Sequence, residues 1–568
     1  MRSEGRQRFA GGYLVLVAAL ALGVGPAACG GGGGSSGLPP TAPVDYELDP
    51  AVYTTLQRTW APRALSADAT ARIAAKELKI IDLDGYAAAG LGAEIADGQP
   101  WAEHDDLAPD FVAGESGQRR SVLWFWQATD IHQTDEESPI RFEGVYAVSF
   151  GSTFRPQDDL STQAFEAQVR SARRISEQAS RPLDFALVTG DMSDGGQRNE
   201  LTWGAGILNG GEIDPDSGLN DDPVPGPGND SSDPFRSPGI GVPWYFVIGN
   251  HEVNYSGFAA ATDAVKAAAV DGKVFDWFKI SLGVDETEGM SNGCRVPDAP
   301  FPRLLTTGPT PADPARAILG VPDLMQLFLD AGGEPAGHGF TAENAAAGIA
   351  YYSLRPAANV PVRLIALATL QLATSEGGID EAQLTWLQGQ LAAAEAANEL
   401  VIVASHHRSE DFGSQSPVSP DTLRATLAAS PNVVLHVCGH GHYNSSQVVL
   451  PAAGAAGGYW ELMQASTIDF PSQTRFFELV YEGNGFLSIY ATNLEPNAAD
   501  GSLARQALDL AAANLAFTGG SDPRGAWEAA RDQMNLLLRL RVPAAVAAQL
   551  EAASLPTDII SEQTLANL

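Results

Sequence analysis

Short apolar runs recur along this chain and break off on polar residues, and their order predicts most of the fold. The run Val433, Val434, Leu435 has no polar alternation, so it reads as a strand buried on both faces; it ends on Gly439, His440, Gly441 and His442. Ser121–Ala128, dense in aromatic and β-branched residues, predicts a second strand that ends on Asp130 and His132. Phe185–Thr189 ends on Gly190 and Asp191, Val242–Ile248 on Gly249, Asn250, His251 and Glu252, and Leu400–Ala404 on Ser405, His406 and His407. Helical spacing of apolar residues marks Ser161–Ser180 and Asp380–Ala397, and further helices are expected near 259–280 and 421–429. Strands are also expected over 350–354 and 362–370. The segments 459–468, 475–481 and 485–492 follow without helices between them, and are expected as an antiparallel run on a second sheet. The whole is an α/β pattern.

Composition narrows this picture. The chain has 568 residues, 44% hydrophobic and 18% charged, which suits one large globular domain with appendages. Residues 45–118 form an N-terminal extension without recognisable chemistry, and 498–568, rich in alanine and leucine, predict two or three helices that cover a sheet edge. Segments 209–239 and 281–345 are irregular and rich in turn residues, so they read as insertions on the surface, where substrate selectivity would lie. A net charge of −35 makes nucleic acid and anionic membrane surfaces poor partners; a polyanion would need local positive charge, such as bound cations. Three cysteines exclude a disulfide scaffold.

At the start, Arg2, Arg6 and Arg8 precede an apolar stretch, Tyr13–Val24, then Pro26, Ala27, Ala28 and Cys29. That is the pattern of an export signal over residues 1–28. It resembles a bacterial lipoprotein signal, although Pro26 stands where an aliphatic residue is usual. The resemblance implies an exported protein, periplasmic or at the cell surface, held to a membrane by a lipid on Cys29. The alternative is an ordinary cleaved signal. Residues 29–44, rich in glycine and proline, would be a flexible tether.

The strand ends hold the chemistry. Of nine histidines, His132, His251, His406, His407, His440 and His442 all lie at these ends, beside Asp130, Asp191 and Asn250. Ligands of open α/β sheets gather beyond the carboxyl ends of strands. Mixed imidazole and carboxylate donors suit transition metals such as zinc, iron or manganese, and this many candidate donors exceed what a single catalytic ion takes.

The ordered motifs DxH, GDxxD, GNHE, H and GHxH, spread over roughly residues 120–495, resemble the calcineurin-like metallophosphoesterases. The resemblance implies a two-sheet αββα sandwich with a helical C-terminal extension, its phosphoesterase domain spanning 119–497. It also implies two divalent or mixed-valence transition metal ions (Fe, Mn or Zn). Asp130, His132 and His442 would hold one, Asn250, His406 and His440 the other, and Asp191 would bridge them, with His406 chosen over His407 as nearer the strand end. Water held by the pair would attack phosphorus as hydroxide, His251 would act as general acid, and Asp194 and Glu252 would orient imidazoles. An aspartate at 194, where purple acid phosphatases carry a tyrosine ligand, departs from that branch. The implied function is hydrolysis of a small phosphorylated substrate, as phosphomonoesterase or phosphodiesterase. The alternative is a catalytically silent lipoprotein of the same fold acting as a surface binding protein.

Overall fold

The computed structural model describes residues 51–78, 83–141, 155–218, 231–271, 274–275, 290–291, 312–518 and 522–568. All of these belong to one compact unit. The export signal, Cys29, the tether up to 44, Cys294 and, in the second insertion, residues 281–289 and 292–311 lie outside the described residues.

Thirteen strands build two sheets: β1 (Ala102–Leu107), β2 (Arg120–Ala128), β3 (Phe185–Val188), β4 (Trp244–Phe246), β5 (Tyr352–Leu354), β6 (Val362–Ala366), β7 (Leu400–Ala404), β8 (Val433–Cys438), β9 (Ser445–Val449), β10 (Tyr459–Met463), β11 (Thr474–Tyr481), β12 (Phe486–Leu494) and β13 (Asn535–Arg541). The first sheet runs β1-β13-β12-β11-β2-β3-β4 and the second β5-β6-β7-β8-β10-β9. The strands that lead to the polar residues run parallel to one another within each sheet: β2, β3 and β4 in the first, β6, β7, β8 and β10 in the second. Their carboxyl ends therefore point the same way within each sheet.

The run in β7 is apolar throughout because both its faces are covered. Leu400, Ile402 and Ala404 join the core shared with the first sheet, whereas Val401 and Val403 face Leu384, Leu387 and Leu391 of helix α2 (Glu381–Ala396) and Leu423 and Leu427 of helix α3 (Pro420–Ala428). Helix α1 (Ser161–Gln178) buries Phe165, Val169, Ala172 and Ile175 in the core of the first sheet. The architecture is the expected αββα sandwich.

Several expectations need correction. Strand β10 is parallel to β8 in the second sheet, so of the three segments only β11 and β12 join an antiparallel run, which lies in the first sheet and continues to β2 on one side and β13 on the other. The C-terminal extension has its helices, among them Leu503–Thr518, but also supplies β13, with Leu536, Leu538 and Leu540 turned into the core. The N-terminal extension supplies edge strand β1. Arg539 of β13 binds Glu103 and Asp105 of β1, each at 2.8 Å, so charged side chains pair along an edge that reads as polar. The helix expected over 259–280 is observed over Asp263–Asp271. Insertion 209–239 is not wholly irregular, since Gly211–Ile213 and Phe235–Ser237 form a small antiparallel pair. Among the described residues no helix is long and apolar enough to cross a membrane.

Candidate metal centre

Asp130, His132, Asp191, His440 and His442 all adopt positive φ, from 49° to 74°. They are five of the twelve described non-glycine residues that do so, and left-handed backbone of this kind costs energy and concentrates at functional sites. The strand ends turn sharply there to aim side chains inward. The histidines themselves take the left-handed turn, and Gly439 and Gly441 supply room. A Cβ at 439 would lie 2.0 Å from Thr129 Oγ1, and one at 441 would lie 2.5 Å from Met463 Sδ.

The strand ends meet through these side chains. Asp130 accepts the His440 backbone N–H at 2.9 Å, tying the end of β2 to that of β8. His132 Nε2 lies 3.1 Å from His442 Nε2, and His442 Nε2 lies 3.2 Å from Asp130 Oδ1. Asp191 Oδ2 is 3.0 Å from His406 Nε2 and 3.9 Å from His132 Nε2, so one carboxylate faces both clusters. Four overlapping groups of donors result: Asp130, His132 and His442; Asp130, Asp191 and His406; His132, Asp191 and His251; and His406, His407 and His440.

The donor set fits cations. The Nδ1 atoms of His132 and His442 donate to Asp194 at 2.9 Å and Asp469 at 2.6 Å, so it is their Nε2 atoms, 3.1 Å apart, that are turned into the centre. Ligand atoms around an ion with bonds near 2.1 Å lie about 3.0–3.5 Å apart, as these do. Asn250 Oδ1 is buried without a hydrogen-bond partner, although such groups are normally satisfied, while His406 Nε2 faces the Asp191 carboxylate. Both side chains are fixed from behind, Asn250 Nδ2 donating to Gly257 O at 2.9 Å and His406 Nδ1 to Thr189 O at 2.8 Å.

Without ions, the charges settle among these groups. Burial would raise the Asp130 carboxyl, but His442 outweighs it and lowers it to about 2. Burial would lower His442 and His406, but Asp130 lifts the first to about 10 and Asp191 the second to about 9. His132 and His440 fall to about 4, chiefly through burial. His406 and His442 are thus held protonated against anionic oxygens, and each would have to lose a proton to the solvent before its Nε2 could bind a cation.

His407 differs from His406: its Nδ1 pairs with the Thr369 hydroxyl at 2.9 Å and its Nε2 donates to Ser375 O at 3.1 Å. His251 lies against His132, ring centres 4.4 Å apart, with its Nδ1 donating to Asp194 O at 2.7 Å. Asp194 orients His132 as described. Glu252 orients no imidazole among the described contacts: its carboxylate accepts the backbone N–H groups of Asp191, Met192, Ser193 and Gly249, at 2.6–3.2 Å. It clamps the turn after β3 to the turn after β4, a task set by unpaired N–H groups in a buried loop.

Two residues escaped the sequence reading. Arg155, fully buried, reaches Asp194 at 3.3 Å and Asp469 at 3.0 Å, and so links the carboxylates behind His132 and His442. Asp469 follows β10 much as the other site residues follow their strands, a signal that could have found it; Arg155 has none. Behind His406, the Ser405 hydroxyl meets His436 Nε2 at 2.7 Å, and His436 Nδ1 meets Glu461 at 2.8 Å, bracing the ends of β7, β8 and β10.

No family model matches this chain, and no curated protein sequence matches it. Among solved structures, a dimetal phosphatase from Danio rerio aligns with 66% of this chain and 96% of its own, at 14% identity and a TM-score of 0.34. The purple acid phosphatase PPD1 from yellow lupin aligns over 83% of this chain and 62% of its own, at 12% identity and 0.33. A structure of PhoD aligns over 70% and 68%, at 10% identity and 0.29.

Proposed function

We propose that this protein is a metal-dependent phosphoester hydrolase with two transition metal ions at the strand ends. The observation that carries the metal centre is the convergence of His132 Nε2, His442 Nε2, Asp130, Asp191 and His406 Nε2 in overlapping groups of ligand atoms; Asn250 Oδ1, in the turn after β4, is buried and unpartnered. The order of motifs supports phosphoester chemistry. Asp130, His132 and His442 would hold one ion, Asn250, His406 and His440 the other, and Asp191, which faces both sets, would be shared. When bound, such a pair supplies Lewis acidity toward phosphoryl oxygens and acidifies water held there.

The chain's own groups define the rest. His251 commits Nδ1–H to the Asp194 carbonyl, so Nε2 is the atom from which a proton can be delivered to a leaving oxygen. Asp194 and Asp469 keep the other two imidazoles aimed. The test is turnover of 4-nitrophenyl phosphate, bis(4-nitrophenyl) phosphate and a peptide substrate, with and without chelator. Chelator-sensitive release from either phosphate ester is expected. Failure to turn over both by metal-loaded protein would contradict the proposal and favour a silent binding protein.

We also infer export and lipid anchoring at Cys29, supported by the small residues before it and the glycine tether after it. Cys29→Ser should release the protein from the membrane fraction; unchanged fractionation would argue against the anchor.

A further inference from the structure

Six large apolar side chains stand exposed among the described residues, and two of them, Leu372 (68%) and Tyr443 (51%), lie on loops that leave the site ends of β6 and β8. Those strands flank β7, so the loops start about 10 Å apart, on either side of His406.

An isolated exposed leucine is ordinary, but this one is held in place. The buried Asn254 side chain donates to Gln371 O at 2.7 Å and Thr374 O at 3.0 Å and accepts from Ala373 N at 2.8 Å. Ala373 takes a φ of 60°. Asn254 lies four residues beyond Asn250, and the same loop binds His407 through Thr369 and Ser375. A tight turn against the metal centre is thus ordered, and it presents a leucine to solvent.

Tyr443 directly follows His442, and the Arg408 guanidinium lies 5.7 Å from its ring centre. Arg408 is itself occupied by Asp411, at 2.8 Å and 2.9 Å, and by Glu410 at 2.6 Å. Its charge is therefore spent within the protein and offers little to a second phosphate. The rim presents an aliphatic side chain and an aromatic ring, on a protein whose net charge is strongly negative.

Resting on the phosphoesterase reading above, we propose that Leu372 and Tyr443 form an apolar rim that selects phosphoesters whose alcohol part is a flat, aromatic group. The phosphoryl group would lie among the histidines while the ring packs against Tyr443 and Leu372.

The test compares 2-naphthyl phosphate with phenyl phosphate, whose leaving alcohols have similar acidity but different apolar area. The wild-type protein should favour the naphthyl ester in kcat/KM, and the Leu372→Ala, Tyr443→Ala double variant should lose about 10-fold of that preference. Leu450→Ala should retain it, because this exposed leucine lies at the opposite end of the second sheet, beyond β9. Calorimetric titration of 2-naphthylphosphonate and phenylphosphonate reads the same ratio without turnover. An unchanged ratio in the double variant, or a wild-type ratio near one, would overturn the rim. Turnover of neither ester by metal-loaded wild-type protein would overturn the hydrolase reading, and the phosphonate ratio would then still judge the rim.

Discussion

The two halves of the centre use similar donors but are held by different partners. Behind His132 and His442 stand carboxylates, Asp194 and Asp469, joined by the buried guanidinium of Arg155. Behind His406 and Asn250 stand backbone carbonyls, Thr189 O and Gly257 O. A carboxylate partner makes an imidazole a stronger donor, and Arg155 compensates the two buried negative charges. A carbonyl partner fixes direction without adding charge. The carboxylate-backed half should therefore bind its ion more tightly, and the carbonyl-backed half should release its ion first under chelation.

The largest effect should come from the residue common to both halves. Asp191→Asn should reduce metal content from about two ions per chain to about none, as measured by elemental analysis after gel filtration. Retention of one full ion would show that the halves are independent. His251→Ala should lower turnover by about 10²–10⁴-fold with metal content unchanged; simultaneous metal loss would make it a ligand, as its place beside His132 and Asp191 also allows. Asp469→Asn should weaken one ion by about 10–100-fold and leave the second in place. If chelator titration shows both ions weakened equally, the contrast between the halves fails.

A buried carboxylate away from the centre provides the baseline. Glu495 accepts from Thr59 and Gln473, each at 2.7 Å, and has no imidazole partner; burial pushes it up to about 7. Asp469, its side chain 21% exposed, is held well below the ordinary carboxylate range because Arg155 and His442 outweigh burial. With its folded pKa raised above the unfolded value, Glu495 contributes stability that is fully present below about pH 4.5 and is lost as pH rises through about 7. Glu495→Gln should thus gain on the wild type by roughly 2–3 kcal/mol between pH 5 and pH 8 in urea denaturation, with little effect on turnover. A pH-independent difference between the two proteins would remove that baseline.

The residues placed in the centre were legible in the sequence because each sits just beyond an apolar strand, and burial on both faces leaves an unmistakable run of apolar residues. The parts behind them were not. Arg155 and Asp469 are 314 positions apart and share no motif; only folding makes them neighbours. Strand β1, AEHDDL, hides for another reason: as an edge strand it keeps charged side chains that pair with Arg539. The sheet that receives β10 was misjudged because the crossing from the second sheet to the first takes place in a loop, around Asp469, with no helix to announce it.

The central claim is that distant strand ends assemble a cage for two neighbouring ions, and the most direct measurement is the metal content of protein purified without added metal. About two transition metal equivalents per chain are predicted, one leaving before the other as chelator is raised. Protein free of metal, and unable to take up zinc, manganese or iron when they are supplied, would contradict it.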